Sequence, residues 1–303
     1  MGTSRTTGFS HLLAPGLREI FFNKYGQWPD EYAQVFNVGS STRSYEEDAE
    51  VVGLGKMVTK AEGTAITYDD PFQSTDKKRY THTAFGLGFR VTEEMYSDDM
   101  YGIIKKMPAS LSRSAKQTTE VEAWNIFNNA FGTTNTGLDG VALCSTAHLN
   151  VKKTGGPYSN RLATDSDLSV TSLQAAIELM EDTTDDRDMN IMLKPKLLIV
   201  TPSNKWMARE LLNSEKKPHT ADNEINALMD EELKYMVGHY LTDDDAWFLV
   251  TDKSDHTLNF FWRKKPAFDN SDDFDTGDAK FKASMRFSVG FTGWRGIIGT
   301  PGA

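Results

Sequence analysis

The sequence is short of several things at once, and each shortage removes a class of function. It holds one cysteine, Cys144, in 303 residues. No internal disulfide can form, so stability must come from packing and partners, and a reducing cytoplasm is the expected site of synthesis. Long apolar runs are missing. No stretch reaches the roughly 18 residues of a transmembrane helix, and the opening MGTSRTTGFSHLL lacks the apolar centre of a signal peptide. No membrane partner is expected. Basic charge is in deficit: 33 Lys and Arg stand against 43 Asp and Glu, a formal net charge of −10. That excludes gripping nucleic acid through a general basic surface, which needs clustered Lys and Arg. It leaves room for a protein that surrounds nucleic acid, because an acidic wall would repel DNA and leave it free to move.

Signatures of catalysis and of cofactors are equally scarce. His11, His82, His148, His219, His239 and His256 never fall three or four residues apart, the spacing that would present two zinc ligands on one helix face. The two GLG triplets, at 53–55 and 86–88, do not lead from a strand into a capped helix, so neither is a dinucleotide fingerprint. Asp269, Asp272, Asp273, Asp275 and Asp278 surround Gly277 without the ligand order or closing Glu of an EF-hand. They read as a solvated loop, with weak calcium binding as the alternative. Cys144 and His148 stand four apart in LCSTAH. A thiolate–imidazole pair makes a hydrolase only with an orienting group and an oxyanion site, so turn structure is the plainer reading. No catalytic residue, metal or cofactor is expected.

What is present has the character of an assembling protein. Residues 1–45 form an arm with a short helix at Leu17–Tyr25, ended by Trp28-Pro29. Its aromatics are too few for a core of their own. They lie either on their own domain or on a neighbour. Residues 46–91 read as strands running out and back, with Asp69-Asp70-Pro71 as turn chemistry and few large apolar residues. A hairpin of that kind is marginal alone and needs a partner surface. Ile104, Met107, Leu111, Ala115, Thr118, Val121, Trp124, Phe127 and Phe131 fall on one helical face. Pro108 should divide this stretch into a short helix at Asp98–Met107 and a long one from Pro108 to Phe131, with Gly132 as the stop. Further helices are expected at Leu173–Met180, capped by Thr171 or Ser172, and from Ser203 to Leu212 with Trp206, Met207 and Leu211 inward. Leu197–Val200, Ala246–Thr251 and Leu258–Trp262 read as strands. Lys280–Val289 alternates Phe281, Ala283, Met285, Phe287 and Val289 with polar neighbours, the mark of a half-buried strand.

This order of pieces resembles the tailed-phage major capsid proteins. The likeness runs through GLGFRVTEEMYSDDMYG at Gly86–Gly102, LDGVALCSTAHLN at Leu138–Asn150 and LSVTSLQAAIELM at Leu168–Met180. It continues in KPKLLIVTPSNKWMARELL at Lys194–Leu212 and DDDAWFLVTDK at Asp243–Lys253. In wording these are similar to the Mu-like major head subunits. The resemblance implies an α+β capsid fold: an N-arm (1–45), an E-loop excursion (46–95), and a spine helix with the first part of a P domain (96–167). An A domain (168–265) and a closing P-domain strand with the C-terminus (266–303) complete it. It places Leu197–Val200, Ala246–Thr251 and Leu258–Trp262 in the A-domain sheet. It implies self-assembly as hexamers and pentamers into an icosahedral head around double-stranded DNA, bound without sequence-specific contact. It also implies a virion location, a portal, a separate scaffolding protein without large maturation cleavage, and room for a decoration protein. Assembly contacts are expected from Gly53, Gly55, Lys60, Gly63, Tyr68, Lys77, Arg79 and Tyr80 on the excursion, and from Phe21, Phe22, Tyr25 and Trp28 on the arm. Some relatives cross-link through an E-loop lysine; Lys60, Lys77 and Lys78 are available, and nothing selects one. The alternatives are a cellular nanocompartment shell of the same fold, enclosing an enzyme, and the Cys144/His148 hydrolase.

Overall fold

The computed structural model describes residues 9–73, 76–92, 94–95, 98, 102–150, 156–216, 225–273, 276 and 278–303. The helices are α1 (Phe9–Tyr25), α2 (Tyr32–Val35), α3 (Ile103–Asn128), α4 (Val170–Glu181) and α5 (Lys205–Asn213), with a 3-10 turn at Ala227–Glu231. The first six strands are β1 (Asn37–Ser40), β2 (Tyr45–Asp48), β3 (Val51–Val52), β4 (Phe72–Gln73), β5 (Lys78–Thr81) and β6 (Thr83–Val91). The others are β7 (Pro195–Val200), β8 (Lys234–Val237), β9 (Trp247–Thr251), β10 (Leu258–Asp272), β11 (Ala279–Phe291) and β12 (Ile297–Thr300). No helix among the described residues is long and apolar enough to cross a membrane.

Two four-stranded sheets carry the body. The first runs β1-β10-β11-β6, with β1 parallel to β10 and the other pairs antiparallel. The alternation of β11 explains it: Phe281, Ala283, Met285 and Phe287 are all buried on one face. Cross-strand aromatics fix the register, Phe89 stacking on Phe281 at 5.1 Å and Phe85 on Phe287 at 4.8 Å. At Gly88 a Cβ would stand 2.6 Å from the Phe281 carbonyl oxygen, so only glycine permits this pairing. The second sheet runs β12-β9-β7-β8. It is covered on both faces, which is why β9 is buried at every position. Leu198, Val200, Trp247 and Leu249 point to α4 and α5; Ile199, Phe248 and Val250 point to the end of α3. There Phe127 meets Phe248 at 5.0 Å and Trp124 is fully buried. The 124 ring lies where a Cβ on Gly238 would be, 2.9 Å away.

Several expectations are corrected. The long helix does not break at Pro108. It runs from Ile103 to Asn128 with Pro108 buried inside it. Proline costs one hydrogen bond near the N-terminus, and the buried face through Ile104, Leu111 and Trp124 outweighs that loss. Part of the short helix expected at Asp98–Met107 lies outside the described residues. Leu258–Trp262 belongs to the first sheet, not to the sheet of Leu197–Val200 and Trp247–Thr251, and continues to Asp272 through register shifts between Trp262 and Ala267. The Lys-Lys-Pro there hides the strand, because Pro266 interrupts the alternation. The fourth strand of the second sheet comes instead from the C-terminus, Ile297–Thr300. Ser169 caps α4, in a reciprocal box with Ser172. Trp206 is 61% exposed, since it shares a face with Arg209 and Glu210 while Ala208, Leu211 and Leu212 turn inward.

The arm lies on its own chain. Its helix begins at Phe9 rather than Leu17. Leu17 and Phe21 are buried in a cluster with Ile104, Leu111, Phe268 and Phe281. Tyr32 packs on Phe260 at 4.5 Å. Beneath it, the buried Glu120 carboxylate accepts from the amides of Glu31 (2.9 Å) and Tyr32 (3.0 Å) and from Trp124 Nε1 (3.2 Å). Lys116, also buried, pairs with Asp30.

Two outcomes follow. Trp124→Ala should cost about 3–5 kcal/mol, while Trp206→Ala should change stability by less than about 0.5 kcal/mol; urea midpoints of the unassembled subunit measure both. Burial raises the Glu120 carboxyl from the usual 4.5 to about 7, against the pull of its amide donors. The folded state therefore binds more protons than the unfolded one between these values, and the Glu120 contribution to stability is lost as pH rises through about 7. Glu120→Gln should flatten the stability profile across that window, measured by denaturant titration at a series of pH values.

Candidate assembly surface

Residues 45–81 leave the body as a narrow antiparallel ribbon. β2 pairs β5 from Tyr45↔Thr81 to Asp48↔Lys78, and β3 pairs β4 over two residues. Residues 53–71, between them, carry no strand. The segment expected to return as one strand divides at His82: β5 stays in the ribbon and β6 joins the first sheet. The ribbon's paired strands thus end at Thr81, and Thr83–Val91 is a strand of the first sheet. Its distal part exposes Val51, Leu54, Met57, Val58, Ile66 and Tyr68, with Met57 101% and Tyr68 92% accessible. Apolar residues concentrated on a ribbon with no core beneath it make this the candidate surface for contact with another body.

The expected contact residues separate into those facing out and those used within the chain. Lys60, Gly63 and Tyr68 are exposed on the distal part, Gly63 in a turn at φ +79°. Gly53 is exposed beside it, and the Gly55 amide donates to Asp69 Oδ2 at 2.8 Å. Lys77 and Arg79 flank Glu47 on the exposed ribbon, at 3.8 and 2.6 Å. Phe22 and Trp28 are partly exposed on the arm, 38% and 48%, and Tyr25 is half-buried against Phe21. Phe21 and Tyr80 are used within the chain. Phe21 is completely buried against Phe268. Tyr80 sits under the ribbon root, its hydroxyl 2.6 Å from Thr292 Oγ1 and its ring on Phe261. Neither has surface left for a neighbouring copy.

The ribbon is also tied to the second sheet's side of the molecule, where few contacts were expected. Arg187, in the loop after α4, donates to Asp69 Oδ2 (2.7 Å) and to the Asp70 carbonyl (2.9 Å). Arg295 bridges Glu50 (3.2 Å) and Asp186 (2.7 Å) and donates to the Thr184 carbonyl. The Gly55 amide and Arg187 hold Asp69 below the usual carboxylate range. Burial, opposed by Arg295, leaves Glu50 above it. Neither arginine was singled out in the sequence; each is a lone cation, one inside EDTTDDRDMN and one in GWRG.

The Cys144/His148 pair has no catalytic arrangement. Cys144 is buried, and desolvation pushes its thiol far up, away from the nucleophilic thiolate. His148 is fully buried, stacked on Trp294 at 4.6 Å, with Nδ1 2.6 Å from Asp139 and Nε2 2.9 Å from Asn160 Oδ1. Asn160 Nδ2 donates to the Leu143 and Ile297 carbonyls, which fixes Oδ1 as the acceptor facing the ring. Burial alone would raise Asp139; bonds from His148 and the Val141 amide outweigh it and hold the carboxyl low. Both ring nitrogens are engaged inside the protein, and neither faces a space that a substrate could enter. The cluster fastens Asp139, His148 and Asn160 to Trp294 and Ile297 of the C-terminal segment. In the acidic run, Asp269, Asp273 and Asp278 face Lys264, Lys280 and Arg90. Residues 274, 275 and 277 lie outside the described residues, as do 151–155 in the loop after His148. Among the described residues no group of three His, Cys, Asp or Glu side chains could hold a metal ion.

Comparison with known proteins agrees with this architecture. The profile of the phage capsid protein family matches residues 75–299. No curated protein matches the sequence. Among solved structures, the mature capsid subunit of bacteriophage PhiM1 aligns with a TM-score of 0.59 and 12% identity, over 90% of this chain and 87% of that one. A structure from Microbacterium phage Oxtober96 gives 0.56 and 11%, over 90% and 92%. The procapsid of bacteriophage JBD30 gives 0.51 and 16%, over 98% and 76%. At these identities the structures establish the shared α+β capsid fold. The family description favours neither the nanocompartment shell nor the hydrolase, and the narrower Mu-like likeness rests on the motifs alone. The chain belongs to the phage capsid protein family, and its role is that of a major subunit of the bacteriophage shell.

Proposed function

We propose that copies of this chain assemble as hexamers and pentamers into a closed head around double-stranded DNA, and that the 45–81 ribbon couples each copy to the next. The observation that carries this reading is the exposed apolar set on the distal ribbon, Val51 to Tyr68, which has no core of its own. Each such side chain gives about 1.5–3 kcal/mol when fully buried. Permanent interfaces of this type bury more than about 2,000 Å². Phe22 and Trp28 on the arm would add a second contact, while the arm helix belongs to the body. In capsid terms, α3 is the spine helix; the first sheet with α3 forms the P domain, and the second sheet with α4 and α5 the A domain. DNA is enclosed rather than gripped, in keeping with the net charge of −10. Synthesis is cytoplasmic, and the chain performs no catalysis. The JBD30 procapsid and the JBD30 capsid decorated with minor capsid protein trimers suggest a precursor shell and a decoration partner here as well.

Removing residues 54–70 and closing the gap with a short glycine linker tests the reading. A cut extending to residue 84 would also take the buried Tyr80 and the start of β6, so it would damage the body. The short deletion should stay soluble, keep its helical circular dichroism and elute as small species with no shells in micrographs. Normal closed shells from this variant would contradict the proposal. Cys144→Ser should still give shells. His148→Ala should destabilise the subunit by about 1–3 kcal/mol, as expected when buried polar groups at Asp139 and Asn160 lose a hydrogen-bond partner, with no enzymatic activity lost in either. A hydrolytic activity that vanishes at normal shell yield would overturn the non-enzymatic reading.

A further inference from the structure

Residues 53–71 should not keep a direction by themselves. They have no ladder and no apolar core, yet two ionic contacts meet the excursion at different heights. Near the root, Arg295 joins Glu50 to Asp186 and to the Thr184 carbonyl. Further out, Arg187 grips Asp69 Oδ2 at 2.7 Å and the Asp70 carbonyl at 2.9 Å, while the same Asp69 oxygen accepts from the Gly55 amide. Asp69 therefore closes the two sides of the excursion on each other and fastens them to the body. The loop that presents Arg187 is itself held, because Asp185 Oδ1 accepts from the amides of Arg187 (2.7 Å) and Met189 (2.9 Å).

We infer that Arg187 is a positioning residue for assembly: its fork to Asp69 and Asp70 holds the excursion in one orientation before a neighbouring copy arrives. The inference rests on the assembly reading given above. The latch leaves the apolar side chains uncovered, with Met57 and Tyr68 almost fully accessible, so it does not mask the contact surface. It instead orders that surface in advance. Ordering a flexible interface segment opposes association, and a segment already ordered in the free subunit removes that cost from the encounter. The geometry needs arginine. Lysine could pair with Asp69 but could not reach the Asp70 carbonyl at the same time, since it lacks the planar fork.

The experiment uses full-length Arg187→Ala, Arg187→Lys and Asp69→Asn beside the wild type. Two quantities are read: hydrogen exchange of the Gly55 amide in the unassembled subunit, and the protein concentration at which shells appear. The latch predicts at least tenfold faster exchange of the Gly55 amide, which donates to Asp69 Oδ2, in Arg187→Ala and Asp69→Asn, with Arg187→Lys between them and the wild type. Shell formation by the fast-exchanging variants should need several-fold more protein. Raising the salt concentration should speed exchange there in the wild type and leave Arg187→Ala unchanged, because an exposed ion pair is screened. Unchanged exchange in both Arg187→Ala and Asp69→Asn overturns the latch, whether or not shells form. So does faster exchange with shells appearing at the wild-type concentration or below it. If the wild type itself makes no shells, the assembly reading fails, and the exchange data still decide whether the latch exists.

Discussion

The burial of Trp124 and Phe127 between the two sheets is the contact on which the remaining structure depends. These residues end the buried face of α3, and the second sheet lays Phe248 and Ile199 against them while the first sheet supplies Phe260 and Phe287. The same helix turn offers Glu120, which gathers the amides of residues 31 and 32 and so brings β1 to the edge of the first sheet. One helix thus fixes the angle between two sheets and the path of the arm. Proline at position 108 is tolerated because the apolar face on either side of it is continuous.

Much of this body was legible in the sequence, because period and burial agree there. The strand β11 declares itself by strict alternation, and α4 by Leu173, Ala176, Ile177 and Met180. Elements were missed where local chemistry and tertiary pairing conflict. The register shifts of β10 absorb Lys264, Lys265 and Pro266, residues that end a strand in any local reading. Which sheet a strand joins is decided by partners far away in the chain, so the exchange of Leu258–Trp262 for Ile297–Thr300 had no local signal. Trp206 was misplaced because its size suggested burial, whereas the faces of α5 are set by Ala208, Leu211 and Leu212.

The candidate surface was legible as a need and not as a geometry. Glycines and scattered apolar residues at 51–68 announce a segment without a core, and the structure leaves them exposed. The ionic ties at Arg187 and Arg295 join residues more than a hundred positions apart, and no spacing rule reaches that far. Nor could composition tell Phe21 from Phe22. Adjacent positions on a helix face different ways, one into the cluster with Phe268 and one outward.

Body and ribbon thus divide the work. The body folds around α3 with its own buried aromatics, and the ribbon holds apolar groups that the body leaves uncovered. Electron cryomicroscopy of particles assembled from the purified chain tests this division most directly. The account predicts closed shells in which Met57 and Tyr68 of each copy are buried against the next. Closed shells whose residues 53–71 project into solvent, touching no neighbour, would contradict it.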